Sequence, residues 1–407
     1  MKFIKKLIIS FGILIILIQN NLYAVYVDDK TTYVWSDSTV QTASGGEEQK
    51  DFLDLSCESA ILIEQTTGTI LYEKDSHKML RPASVTKIMT ILLIMEGIDT
   101  GVIDYNTKIS CSETAASMGG SQIWLEVGET LTVDEMLKAI CIVSANDCCV
   151  AMAEHLAGTE DAFVIKMNEK AKKLGMKDTT FKNCHGIDEN EHFTSSYDIA
   201  LMSKELLNKY PEVIKYTTTW MDSLRDGQAE LVNTNKLVRT YEGITGLKTG
   251  STSLALYNLS ASATRNNLSL IAVVLRAPTP KDRVANARNL LDYGFSNFEF
   301  ASTSTKGKIV KKVKVEKGIQ KEVELSYKEN SGTILKRGSS ANIETKIEIN
   351  KKIVAPIKKG DVLGKVEFYL DKKKIATTEL IANSSIEKKG TFSNYKFIIN
   401  NWFNLFR

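Results

Sequence analysis

Beyond its N-terminus this 407-residue chain has no long apolar run, and it has no excess of either charge, with 52 Lys and Arg against 49 Asp and Glu. The first absence excludes a polytopic membrane protein, since each spanning helix needs about 20 consecutive apolar residues. The second removes the basic surplus that marks a nucleic-acid binder, and no nucleic-acid partner is expected. Low complexity is missing too. At 43% hydrophobic and 25% charged residues the composition is neither disordered nor collagen-like, and the length suits two or three domains with buried cores.

Paired C-x-x-C and H-E-x-x-H spacings are also lacking. Cys57, Cys111, Cys141, Cys148, Cys149 and Cys184 would suggest disulfides in an exported chain. Four of them lie in apolar or helical text, where cysteine serves as a small core residue, so at most one bridge is expected. Among the four histidines, His185 and His192 with Asp188, Glu189 and Glu191 form the best metal candidate, and that stretch reads as a solvated loop. No metal or organic cofactor is expected.

What is present begins with Lys2, Lys5 and Lys6, an apolar stretch from Leu7 to Ile18, and Leu22-Tyr-Ala24. This three-part pattern predicts a signal peptide over residues 1–24, too short in its apolar part to span a bilayer. Residues 25–50 are polar and read as a spacer. From Ser59 two apolar runs around a Thr-Gly turn predict a hairpin. Helical text follows at Ser84 to about Glu96, Thr132–Cys141, Asn146–Ala157, Glu160–Leu174 and Ser195–Asn208, with Asp134, Asp161 and Asp198 in first turns. Strands return at Thr252–Thr264 and Leu268–Arg276 around Arg265-Asn-Asn267, and Lys281–Tyr293 reads as a closing helix. Strands at both ends with helices between imply an α+β domain over residues 51–300, an antiparallel sheet covered by helices.

After Ala301-Ser-Thr-Ser-Thr, Val, Ile and Leu alternate with Lys and Glu at Lys308–Val315, Glu322–Leu325, Thr345–Ile349 and Lys365–Leu370, predicting a small all-β domain over 306–384. In residues 391–407, Tyr395, Ile398, Ile399, Trp402, Leu405 and Phe406 fall on one helical face and Asn394, Asn400, Asn401, Asn404 and Arg407 on the other, an amphipathic helix too short to span. Residues 301–407 carry 23 Lys and Arg against 11 Asp and Glu, while residues 1–300 carry 29 against 38. The near-neutral total is thus a cancellation between an acidic first part and a basic second part, and the basic part suits anionic lipid or wall polymer.

Three short motifs stand in order within residues 51–300: Ser84-Val-Thr-Lys87, Ser144-Ala-Asn146 and Lys248-Thr-Gly250. They occupy a helix start, a loop before a helix, and the first residues of a strand. One helical turn brings Ser84 and Lys87 onto one face. A serine hydroxyl is a poor nucleophile until a base takes its proton, and a lysine does so once burial and a second cation, here Lys248, disfavour its ammonium. Ser84 at a helix N-terminus also lies where backbone N–H groups can hold an oxyanion. Ser144 offers a second hydroxyl to relay a proton, and Asn146 an amide for a substrate peptide group. Lys248 and Thr249 offer a charge and a donor for a carboxylate, and Gly250 leaves the strand edge open for a peptide to pair alongside.

This ordered trio is the one associated with penicillin-binding proteins and class A β-lactamases. With Pro82-Ala-Ser-Val-Thr-Lys-Ile-Met-Thr90, Ser144-Ala-Asn-Asp147, His185-Gly-Ile-Asp188 and Gly246-Leu-Lys-Thr-Gly250, the chain from about residue 55 onward resembles the low-molecular-mass penicillin-binding proteins, the serine D-alanyl-D-alanine carboxypeptidases. The resemblance implies their penicillin-binding-protein/β-lactamase-like fold, with a β-rich second domain and a tail anchored on the outer face of the cytoplasmic membrane. It implies Ser84 as the acylated nucleophile, Lys87 as its base, and Ser144 and Asn146 in proton transfer and substrate binding. Lys248 and Thr249 would bind the terminal carboxylate, and the backbone N–H groups of Ser84 and Ser251 would form the oxyanion hole. The substrate would be a peptidoglycan stem ending in D-Ala-D-Ala, with β-lactams as inhibitors. Leu254-Ala-Leu-Tyr257 departs from the smaller residues common at that point, which bears on substrate preference. The alternatives are an exported β-lactamase, for which the deacylating Glu-x-Asn is missing between Ser144 and Lys248, and a non-catalytic wall-binding protein, which would not need Ser84 paired with Lys87.

Overall fold

The computed structural model describes residues 52–339 and 342–390. The expected signal peptide, the whole spacer and the amphipathic tail lie outside these residues.

The first domain is built on a five-stranded antiparallel sheet in the spatial order β2-β1-β5-β4-β3. Its strands are β1 (Ser59–Glu64), β2 (Ile70–Lys74), β3 (Ile244–Thr252), β4 (Leu256–Arg265) and β5 (Leu268–Ala277). Alternation along the central strands feeds two cores. Ile61 and Ile63 of β1 with Ile271, Val273 and Leu275 of β5 join one core; Ala60, Leu62, Leu270, Ala272 and Val274 join the other. A sheet buried on both faces needs apolar residues at every position, which is why these strands read as unbroken apolar runs.

Five helices cover the first face: α1 (Lys87–Asp99), α2 (Val133–Ile142), α3 (Asn146–Ala157), α4 (Glu160–Lys173) and α5 (Ser196–Lys209). Helix α6 (Pro280–Asn297) covers the second with Ala287, Leu290, Leu291 and Phe295. Side-chain caps set most of the starts. Thr132 and Glu135 form a capping box, and Thr159, Ser195 and Thr279 each accept a backbone N–H, worth about 1 kcal/mol apiece. Asn266 and Asn267, both at positive φ (49° and 65°), close the β4–β5 hairpin, a conformation asparagine tolerates.

Strand β3 corrects the sequence reading. It starts at Ile244, so Lys248-Thr-Gly250 stands in mid-strand, and the text read as one strand over Thr252–Thr264 is interrupted by a turn at residues 253–255. Two glycines and two threonines in Ile244–Gly250 hide the strand from an apolar-alternation test. Among the described residues β3 pairs only with β4, leaving its other edge without a strand partner.

The chain continues directly from α6 into β6 (Phe298–Ser304), so the stretch read as a change of character is itself a strand. Then come β7 (Ile309–Lys314), β8 (Glu322–Tyr327), β9 (Ser331–Lys336), β10 (Ile343–Ile349), β11 (Val362–Leu370) and β12 (Lys373–Ala382). β6 pairs β9, and the others form a second five-stranded sheet ordered β7-β8-β12-β11-β10. Its core is small: Val323, Leu325, Val366, Phe368, Leu380 and Ile386 are its main members. All six cysteines are buried, and no disulfide joins any two of them. Among the described residues no helix is long and apolar enough to cross a membrane.

Candidate active site

Pro82 leads into a 3-10 turn, Ala83–Thr86, which passes straight into α1. The single helix expected from Ser84 is therefore a tight turn followed by a helix. Ala83 sits at φ 48°, a left-handed conformation that costs a side-chain-bearing residue about 1 kcal/mol or more. Two glycines grip this turn. A Cβ on Gly186 would lie 1.9 Å from the Ala83 carbonyl oxygen, and one on Gly250 would lie 2.8–2.9 Å from Val85 N, Pro82 O and Ser84 N. Gly250 was expected to keep the strand edge clear for a peptide. Its missing side chain also serves another need: β3 approaches the Ser84 turn too closely for any Cβ.

Asn258, fully buried on β4, ties the turn to the sheet. Its Nδ2 donates to the carbonyls of Arg81 (2.8 Å) and Pro82 (3.0 Å), and its Oδ1 accepts from Arg276 N at 2.7 Å. Sequence reasoning missed it. The available signal was a lone amide amid the small and apolar residues of a strand buried on both faces, where an unpartnered polar group would be costly.

Lys87 is completely buried, while Ser84 is half-exposed. Lys87 Nζ lies 3.0 Å from Ser84 Oγ, 2.6 Å from Asn146 Oδ1 and 2.7 Å from the His185 carbonyl. Burial pushes its pKa below the ordinary value, opposed by the nearby acidic groups of Cys149, Cys184 and Asp147. A neutral amine has two N–H bonds. With Asn146 and His185 accepting both, its lone pair faces Ser84 Oγ, the arrangement a general base requires. Asn146 is thus first a positioner of Lys87; its Nδ2 also donates to Gly119 O at 2.7 Å.

Ser144 sits at φ 67° between α2 and α3, with a buried Oγ that has no hydrogen-bond partner among the described residues. Lys248 is 1% exposed and donates to Thr249 O at 3.0 Å. Burial first, and the neighbouring Lys87 second, push it down to about 7. Repulsion between two ammonium groups is mutual, so it weighs against the charged form of both amines. Thr249 Oγ1 shares a 2.7 Å hydrogen bond with Thr234 Oγ1, another residue the sequence did not flag. Ser251 is exposed at the free edge of β3.

The expected solvated loop is exposed at Ile187, Glu189, Asn190 and Glu191 but packed at His185 and His192. Both rings are buried, because Asn183 Oδ1 accepts from Gly186 N (2.6 Å), His185 Nδ1 from Ile187 N (3.2 Å) and His192 Nδ1 from Lys182 N (3.2 Å), while His192 Nε2 meets Thr86 Oγ1 at 2.9 Å. Burial holds His185 and His192 neutral, at about 3 and about 4. Among the described residues no group of three His, Cys, Asp or Glu side chains could hold a metal ion. The arrangement is a half-exposed hydroxyl 3.0 Å from a buried amine, with a second buried amine near enough to feel the first, a geometry suited to acyl transfer through serine.

Residues 44–279 match the D-alanyl-D-alanine carboxypeptidase family of peptidases (S11), and residues 298–388 match the C-terminal domain of penicillin-binding protein 5. The chain is 47% identical over 348 residues to the D-alanyl-D-alanine carboxypeptidase DacF of Bacillus subtilis (strain 168), covering 84% of this chain and 89% of that protein. It is 32% identical to DacC of Escherichia coli (strain K12), over 86% of this chain and 89% of the relative. Among solved structures, penicillin-binding protein 5 of Haemophilus influenzae superposes with a TM-score of 0.67 at 29% identity, covering 85% of this chain and all of the other. The peptidoglycan synthesis regulatory factor PBP3 of Streptococcus pneumoniae gives 0.69 at 28% identity, covering 82% and 100%.

Proposed function

The chain belongs to the serine-type D-alanyl-D-alanine carboxypeptidases, and from that premise we propose which of its residues carry the reaction. Ser84 is the nucleophile. As its Oγ attacks the carbonyl carbon between the last two D-alanines of a peptidoglycan stem, the hydroxyl proton passes to the neutral amine of Lys87. The observation that carries this assignment is the set of three contacts around Lys87 Nζ, two of which occupy its N–H bonds and leave the third direction for Ser84. The backbone N–H groups of Ser84 and Ser251 receive the oxyanion.

Collapse of the tetrahedral adduct breaks the C–N bond; Ser144, whose buried hydroxyl is otherwise unpartnered among the described residues, hands its proton to the departing D-alanine nitrogen and takes in return the proton Lys87 removed from Ser84, which leaves the Lys87 amine neutral again. Water then attacks the acyl-enzyme with Lys87 again as base, releasing the shortened stem and restoring Ser84. Asn146 positions Lys87 and offers its remaining N–H to the substrate. Lys248 and Thr249 bind the terminal carboxylate, and Gly250 lets β3 reach the Ser84 turn. β-Lactams acylate the same hydroxyl. The enzyme works outside the cytoplasm, exported by residues 1–24 and attached to the outer face of the membrane by residues 391–407.

The test is D-alanine release from a diacyl-Lys-D-Ala-D-Ala peptide, together with mass-spectrometric detection of a penicillin adduct. Ser84→Ala is expected to abolish both. Turnover surviving in Ser84→Ala would overturn the assignment.

A further inference from the structure

Three segments meet at the end of the second sheet remote from the β6–β9 pair. They are the 315–321 connection between β7 and β8, the 350–361 connection between β10 and β11, and residues 383–390 after β12. Backbone hydrogen bonds stitch them together: Glu316 N to Ile353 O (2.8 Å), Ile319 N to Glu387 O (3.0 Å), Lys389 N to Lys317 O (2.7 Å) and Ile357 N to Ile386 O (2.9 Å). The stitched end is therefore a fixed surface. It carries two lysines from the first segment, four from the second and two from the third, against Glu316, Asp361 and Glu387.

All eight lysines are exposed, and none takes part in an ion pair among the described residues. The contrast with the neighbouring sheet face is direct, since Lys312, Lys346 and Lys365 there are each paired with a glutamate. Two large aliphatic side chains stand among the unpaired lysines, Ile319 at 55% exposure and Val354 at 42%. Cations ringing exposed aliphatics suit the headgroup region of a bilayer, where the charges meet phosphates and the aliphatics enter the interface. The chain also leaves the described residues here, at Gly390, with the amphipathic text of residues 391–407 immediately following.

We propose that this end of the β domain is a second membrane contact, binding anionic phospholipid headgroups through Lys317, Lys352, Lys388, Lys389 and their neighbours. It adds to the tail attachment proposed above and is tested separately from it. The first sheet lies at the opposite end of the domain, so the contact holds the Ser84 site away from the bilayer and toward the wall.

The experiment uses the full chain without residues 1–24 in co-sedimentation with vesicles of phosphatidylcholine alone or with added phosphatidylglycerol. Binding to phosphatidylcholine alone reports the tail. The gain on adding phosphatidylglycerol reports the lysines and is expected to be about tenfold or more at low salt. A variant with Lys317, Lys352, Lys388 and Lys389 changed to Gln should lose most of that gain while keeping wild-type D-alanine release. A matched variant at the opposite end, with Lys306, Lys308, Lys336 and Lys372 changed to Gln, should keep it. The proposal is overturned if the first variant retains the full gain, or if both variants lose it equally. It is equally overturned if the first variant loses retention only on a soluble polyphosphate and not on the vesicles.

Discussion

The two halves of the molecule use lysine in opposite ways. In the first domain Lys87 and Lys248 are at most 1% exposed, lie close enough to perturb each other, and are surrounded by acceptors placed for them. In the β domain lysines are numerous, exposed, and either paired with glutamates across the strands or unpaired. Burial makes the charge of Lys87 expensive and favours its neutral amine, the form the proposed base role needs. Exposure keeps each charge cheap, so only the number of lysines and their placement can matter.

Removing a buried amine should have the largest effect. Lys87→Met is expected to slow acylation by penicillin about 10²- to 10⁴-fold, the usual worth of a general base. Stability should change little, because relief from burying an amine is offset by leaving the Asn146 Oδ1 and His185 carbonyl acceptors without its N–H bonds. Stopped-flow acylation and a thermal melt on one preparation check both halves of the expectation. A large drop in melting temperature would mean that Lys87 is chiefly structural.

Next in size is the grip on the Ser84 turn. Gly186→Ala would force a Cβ to 1.9 Å from Ala83 O, at φ 91°. Overpacking of this kind costs about 1–3 kcal/mol, and displacement of Ser84 is expected to lower acylation about 100-fold. Gly338→Ala in the β domain has the same backbone handicap, φ 80°, but open space around it. It should cost only the left-handed penalty of about 1 kcal/mol and leave acylation unchanged. Equal acylation in the two variants would show that the turn is not held as described.

These contrasts also mark what could be read from the sequence. The motif residues and the helices starting at Thr132, Asn146, Glu160 and Ser195 were legible because caps and apolar periodicity are local. So was the Ser84–Lys87 pairing, since one turn of backbone places both. Strand β3 was not, because its glycines and threonines answer to Thr217, Val85 and Ser84, residues remote in sequence. The same holds for Asn258, which sits more than 170 residues from the loop it secures, and for the burial of His185 and His192 in text that looks like a polar loop. β9 and β12 lacked clean alternation and emerged only from their pairing partners.

The buried amines should also tie stability to pH. Lys248 titrates at about 7 in the folded protein and at its ordinary 10.5 when unfolded. Above pH 7 the unfolded chain therefore binds more protons, so stability rises with pH through that window, by about 1 kcal/mol per pH unit at most from this group. Lys87 acts in the same direction. The buried thiols act oppositely once the unfolded chain's cysteines ionise near their ordinary 9.0, so the rise is expected between about pH 7 and 8.5. Guanidinium midpoints across that range should increase for wild type and flatten in Lys248→Met. A slope unchanged by Lys248→Met would assign the effect elsewhere.

The smallest effect is expected from the exposed, glutamate-paired lysines, which share only their residue type with the buried Lys87 and Lys248. Lys312 pairs with Glu324 at 3.0 Å across β7 and β8, and Lys346 and Lys365 both reach Glu348, yet each lysine is solvent-exposed. Water screens such pairs, and holding two long side chains in one geometry offsets much of what remains. Lys312→Met should leave the melting temperature, the acylation rate and the gain on anionic vesicles at wild-type values, because this lysine is neither buried nor at the unpaired end of the sheet. Loss of vesicle binding in Lys312→Met would mean that the β domain works by total charge, and the distinction between its paired face and its unpaired end would fall. Retention, with the four-lysine variant at residues 317, 352, 388 and 389 defective, would show that position in this domain governs what burial governs in the other.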